Sequence, residues 1–89
     1  MADSPIRNNI RKLRFYHDEM TQKELAERVG VTRQTIVAIE NAKYSPSLEV
    51  AFRIAAVFQS PLQEVFLYDA DADPHWTDKK QTKRAKRPE

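Results

Sequence analysis

The stretch from Thr21 to Leu48, TQKELAERVGVTRQTIVAIENAKYSPSL, contains two helix starts and a stop between them. Thr21-Gln22-Lys23-Glu24 is a capping box, in which the threonine hydroxyl and the glutamate carboxylate each satisfy a backbone N–H that the first helical turn leaves unpaired. The helix that follows buries Leu25, Ala26 and Val29 on one face and ends at Gly30, the only glycine of the chain. A residue just past a helix C-terminus commonly needs positive φ, which glycine takes at no steric cost. Thr32 caps the next helix. There Ile36 and Ile39 point one way, while Arg33, Gln34, Val37, Ala38 and Asn41 fall within an arc of about 140° on the other side, at about 100° per residue. Only Gly30 and Val31 join the two helices, and so short a link crosses them steeply around a common apolar pocket. That is the helix-turn-helix arrangement.

The flanking segments extend the same pattern. Ile6, Ile10 and Leu13, at i, i+4 and i+7, form one stripe of a first helix. After the loop Asn41 to Pro46, Ser47 can cap a fourth helix with Leu48, Ala51, Phe52, Ala55 and Phe58 inward. Ser60-Pro61-Leu62-Gln63 opens a fifth, with serine at the N-cap, proline at the first helical position and Leu62, Val65 and Phe66 apolar. No strand-like alternation interrupts these periods. The expectation is an all-α domain of five helices over residues 6–67, with an N-terminal arm at 1–5 and a charged tail at 68–89. The tail, YDADADPHWTDKKQTKRAKRPE, offers little to bury and reads as largely disordered. Trp76 is its exception, a costly group to leave wet: it either docks on the domain or on a partner, or stays exposed for want of a second apolar anchor beside it.

A chain of 89 residues suffices for one small domain with a thin core. It contains no cysteine, which excludes disulfides, thiolate nucleophiles and cysteine-ligated metals and fits a reducing compartment. The N-terminus MADSPIRNNI lacks the apolar run of a signal peptide, and nothing approaches the roughly 20 apolar residues of a membrane span. A cytoplasmic, nucleoid-associated protein with no membrane partner is expected. The net charge is +2, but it is unevenly spread. From Thr77 onward six cations face two anions, whereas residues 1–76 carry nine cations and eleven anions. Any nucleic-acid site on the folded part must therefore rest on a local surface rather than on overall charge.

The outward face of the third helix has the composition of such a surface. Arginine and glutamine, here Arg33 and Gln34, are the side chains that make paired hydrogen bonds to guanine and adenine edges, and Val37 and Ala38 match thymine methyl groups. The start of the second helix, with Thr21 and Gln22, presents free N–H groups and partial positive charge to a phosphate. Thr35 and the loop residues Asn41, Lys43, Tyr44 and Ser45 add further backbone contacts. Phe58, Phe66, Leu67 and Tyr68 exceed the needs of one small core and form a candidate homodimer surface with the fourth and fifth helices.

The register T-Q-K-E-L-A-E-R-V-G-V-T-R-Q-T-I-x-x-I-E-N-x-K-Y-x-P-S-L resembles the Cro/repressor-type (XRE-like) helix-turn-helix of lambdoid phages. It resembles still more closely the compact one-domain bacterial and archaeal regulators of that class. The resemblance spans about residues 6 to 67. It implies a five-helix, lambda-repressor-like domain that dimerises and binds a pseudo-palindromic DNA operator, as a repressor, with the helix at 32–41 in the major groove. It also implies that Arg14 matches a first-helix arginine that pairs with a glutamate at the position of Glu40. Burial of that pair fits the place of Glu40 beside Ile36 on the inward face. The chain departs from the pattern twice. FYHDEM is one residue longer than the usual first loop, and Ala42 stands where a glycine usually follows the recognition helix. Either Asn41 takes the left-handed conformation there or the loop differs.

Enzyme chemistry finds no footing: one glycine provides no phosphate-cradling loop, and His17 and His75 lack metal-ligand spacing and a partner nucleophile. No cofactor is expected. The rival reading is a protein-binding helical module, such as an antitoxin or partner-capturing regulator, for which Val37 and Ala38 would equally serve.

Overall fold

A computed structural model describes residues 4–76. Its elements in order are β1 (Ile6–Asn8), α1 (Ile10–Tyr16), α2 (Gln22–Val29), α3 (Arg33–Glu40), α4 (Leu48–Val57), α5 (Leu62–Val65) and β2 (Phe66–Tyr68), followed by a 3-10 turn at Ala70–Ala72. Most of the expected N-terminal arm and all of the basic run from Thr77 lie outside the described residues.

Local chemistry sets the helix starts. Thr21 Oγ1 accepts the Glu24 N–H at 3.0 Å, Thr32 Oγ1 that of Thr35 at 3.1 Å, and Ser47 Oγ that of Val50 at 3.2 Å. Each hydroxyl satisfies one of the donors that a helix N-terminus leaves open. The Glu24 carboxylate turns forward to Arg28, at 2.9 Å, so the threonine half of the capping box is the one that closes α2. Ser60 departs from its expected role: its hydroxyl donates to the Phe58 carbonyl at 3.1 Å, and Pro61 occupies the N-cap of α5.

The five helices surround one apolar core of Ile10, Met20, Leu25, Ala26, Val29, Ile36, Ile39, Ile54, Ala55, Phe58 and Val65. Two residues of α4 expected to face inward are instead exposed. Leu48 is 66% and Phe52 54% exposed, because the inward stripe of α4 is Ala51, Ile54, Ala55 and Phe58, and Phe52 lies about 100° round from Ala51.

The five expected helices are present, and a short two-stranded sheet is added to them. Ile6 does not begin the first helix but sits in β1, which pairs antiparallel with β2 in the register Ile6 with Tyr68, Arg7 with Leu67 and Asn8 with Phe66. Asn8 ends the strand and starts the helix. Its Oδ1 accepts the Ile10 N–H at 3.1 Å, while its Nδ2 donates to the Ile39 carbonyl at 2.9 Å. The first residues of the expected tail over 68–89 are tied back to this short sheet, with Asp69 N–H donating to the Pro5 carbonyl at 2.8 Å. Asp69 pairs with Arg7, the Tyr68 hydroxyl donates to Asp73, and Trp76 packs edge-on against Tyr68 at 5.8 Å. That hydrogen bond pushes the Tyr68 phenol up to about 12 and holds the Asp73 carboxyl below its ordinary value.

The first four helices all end on left-handed residues, α1 on Asp18 and Glu19 at φ 59 and 54. Gly30, at φ 89, donates to the Ala26 carbonyl at 2.8 Å. At the end of α3 it is Ala42 that takes φ 60, while Asn41 stays at φ −90. The glycine-type turn is therefore kept without glycine: Ala42 N–H reaches Ile39 and Lys43 N–H reaches Ala38, the paired bonds of a Schellman cap. Gln59, at φ 52, closes α4 in the same way, with Gln59 N–H on Ala56 and Ser60 N–H on Ala55. A side chain in this region costs about 1 kcal/mol. Because Gln59 is exposed, Gln59→Gly removes the strain without opening a cavity. It is expected to raise stability by about 0.5–1 kcal/mol, measurable by urea unfolding.

Candidate nucleic-acid interface

α3 stands on the surface with its N-terminus outward. Arg33 and Gln34, in its first turn, are exposed, and Val37 and Ala38, one turn on, are half-buried beside them. Ile36 and Ile39 anchor the opposite face, exposed by no more than 2%. The helix is held by its back, and its front is free for contact.

Its lower end is fixed by an ion pair drawing on three helices. The Arg14 guanidinium of α1 grips the Glu40 carboxylate at the end of α3 through Nε at 2.7 Å and Nη2 at 3.1 Å, and Nη1 donates to the Met20 carbonyl at 2.8 Å. Gln22 Nε2, from the first turn of α2, donates to the same carboxylate at 3.2 Å. The side chains of Arg14 and Glu40 are only 15% and 7% exposed. Charge and hydrogen bonds are matched within the group. It sets the angle of α3 against α1 and the start of α2.

Over this pair lies an open concavity of about 590 Å3, bordered by Arg11, Lys23, Arg33 and Asn41, with Asn8, Thr21 and Gln22 on its walls. Arg14 is neutralised by Glu40, so Arg11, Lys23 and Arg33 supply the cations of the rim, facing one other carboxylate, Glu19. The first turns of α2 and α3 add partial positive charge. A negatively charged backbone is the ligand this field favours. Among the described residues, no group of three or more His, Cys, Asp or Glu is placed to hold a metal ion. No helix among the described residues is long and apolar enough to cross a membrane.

The phosphate candidates differ in exposure and in position. Lys43 and Tyr44 are exposed in the loop after α3, and Asn41 is exposed at its head. Ser45 Oγ is hydrogen-bonded to Ser4 Oγ, and Ser4 N–H also donates to the Ala42 carbonyl at 2.6 Å. Thr21 and Thr35 belong to caps, the latter with its Oγ1 3.0 Å from that of Thr32. Gln22 directs its amide to Glu40, so it acts first in positioning the helices. Sequence reasoning missed Arg11 and Lys23. The spacing of Arg11 three residues before Arg14 was the available signal.

Of the dimer candidates, Phe66 is half-buried and Leu67 and Tyr68 are 46% and 49% exposed. Phe58 must be removed from that surface. It is 2% exposed, and its ring packs edge-on to His17 at 5.1 Å inside the core.

Residues 10–65 match the family model described as helix-turn-helix. An uncharacterized HTH-type transcriptional regulator, MJ0272 of Methanocaldococcus jannaschii, is 44% identical over 66 residues, covering 74% of this chain and 98% of that protein. A second, from Methanothermobacter thermautotrophicus, is 57% identical over 53 residues, 58% of this chain and 77% of that protein. The uncharacterized regulator YgzD of Bacillus subtilis is 41% identical over 61 residues, 68% of this chain and 91% of that protein. With an outward helix anchored from behind, a cationic rim and these relatives, the chain belongs to the Cro/repressor-type (XRE) helix-turn-helix family of DNA-binding transcriptional regulators and is not an enzyme.

Proposed function

We propose that the protein is a cytoplasmic repressor that binds a pseudo-palindromic operator as a homodimer, with α3 in the major groove. The observation that carries the reading is the exposed Arg33 and Gln34 at the head of a helix fixed from behind, beside a concavity rimmed by Arg11 and Lys23. Arg33 and Gln34 read base edges, and Val37 and Ala38 meet thymine methyls. The start of α2 and the loop residues Asn41, Lys43, Tyr44 and Ser45 follow the phosphates on either side.

The dimer forms through the outer face of α4 and through β2, with Leu48, Phe52, Leu67 and Tyr68 as its apolar contacts. All four are large and exposed, and two-fold symmetry about such a surface places the recognition helices about 34 Å apart, one DNA turn. Leu67→Asp is expected to shift the protein to monomer in sedimentation equilibrium while leaving its helical circular dichroism unchanged. A wild-type protein that stays monomeric at high concentration, with and without DNA, would remove the dimer from this account.

Binding to random duplex over a salt series separates this reading from that of a protein-capturing module. A DNA reader shows a steep fall of affinity with salt. Lys43→Ala is expected to weaken binding to all sequences alike and to reduce the log–log salt slope by about one, because it removes one counterion-releasing contact and no base contact. A salt-independent affinity would favour the protein-capturing module.

A further inference from the structure

The outer face of α1 carries two aromatic rings with no place in the fold. Phe15 and Tyr16 are 61% and 68% exposed and stand edge to face at 5.5 Å. The inward residues of α1 are Ile10, fully buried, and Leu13, packed against the core. Consecutive residues cannot both join that stripe. The two rings border a shallow concavity of about 440 Å3 whose other walls are Asn8, Asn9, Arg11 and Lys12. Two cations line it and no carboxylate does. Phe15 and Arg11 also border a second depression of about 380 Å3, with Arg14, Glu19 and Met20.

This combination defines its ligand by elimination. Exposed aromatic groups beside arginine are the usual anchors of protein interfaces. A DNA backbone would satisfy Arg11 and Lys12 but has nothing apolar to cover the rings. A second copy meeting this face with the same face would set Arg11 and Lys12 against their own equivalents. A lipid surface is served by rings projecting from a convex tip, whereas these line a concavity on a helix of seven residues. We propose that the α1 face of Asn8, Arg11, Lys12, Phe15 and Tyr16 is a docking site for an acidic segment of another protein. The segment carries one large apolar side chain that packs into the concavity against the two touching rings, and its carboxylates pair with Arg11 and Lys12.

The test is selection from a random dodecapeptide display library on the immobilised full-length protein, followed by fluorescence anisotropy with the enriched peptide. The expected consensus is two or more Asp or Glu beside one aromatic or leucine. Phe15→Ala and the pair Arg11→Glu/Lys12→Glu should each weaken that peptide tenfold or more, while Lys43→Glu should leave it within twofold. All these positions are exposed, and circular dichroism of each variant checks that it folds. Enrichment without acidic residues, no enrichment, or binding indifferent to the α1 variants would overturn the proposal. So would finding that Phe15→Ala instead lowers binding to anionic vesicles, affinity for random duplex, or self-association of the chain.

Discussion

Glu40→Ala is expected to destabilise the protein by about 3 kcal/mol or more, because it strands a guanidinium held largely out of water. Arg14 would keep its bond to the Met20 carbonyl but lose both contacts to the carboxylate, and Gln22 would lose its acceptor. An exposed pair would cost under about 1 kcal/mol, and the low exposure of both side chains places this one in the other class. For a domain of this size about 3 kcal/mol corresponds to a fall in melting temperature of about 12 °C or more. Urea and thermal unfolding of Glu40→Ala and Glu40→Gln give the answer. A loss below about 1 kcal/mol for the alanine variant would show that the pair does not hold the helices together. The effect reaches function, because Glu40 ends the helix that Arg33 and Gln34 begin.

Arg33→Ala is expected to cost about 1–3 kcal/mol on the operator and to relax preference at one base pair. Gln34→Ala should act likewise at a neighbouring position. Both side chains are exposed in the first turn of α3, so neither change should alter stability beyond about 0.5 kcal/mol. Loss of affinity without loss of stability is what separates a reading residue from one that supports the fold. Binding titrations on the preferred sequence and on its single-base variants measure both terms. Equal weakening on every sequence would assign Arg33 to phosphate and take α3 out of the role of reader.

Legibility from sequence followed the range of the interactions. Thr21, Thr32 and Ser47 bond to N–H groups three residues away, so residue type and spacing were enough to place the starts of α2, α3 and α4. The stop at Gly30 was legible for the same reason. The pairing of Ile6 with Tyr68 was not: it joins the two ends of the domain, and three-residue strands are too short for alternation to show. Phe66, Leu67 and Tyr68 therefore read only as surplus apolar surface, and their pairing as β2 went unread.

The α4 errors have a related cause. Leu48, Ala51, Phe52, Ala55 and Phe58 fit an apolar helical face, but the pattern cannot say which edge of a broad stripe meets the core. The structure chose the Ile54 side, burying Phe58 and exposing Phe52. Ala42 and Gln59 concealed their left-handed turns because neither is the residue type that marks one. Arg11 and Lys23 are ordinary surface cations until α1 and α2 bring them to one rim.

The most direct test of the central claim is selection of bound sequences from a randomised duplex pool, run in parallel with the wild-type protein, Arg33→Ala and Lys43→Ala. The account predicts an inverted repeat with half-site centres about 10 base pairs apart for the wild type. Degeneracy should appear at one symmetric position for Arg33→Ala, and the motif should persist unchanged at lower yield for Lys43→Ala. Absence of an enriched motif, or a motif that Arg33→Ala leaves intact and Lys43→Ala changes, would contradict it.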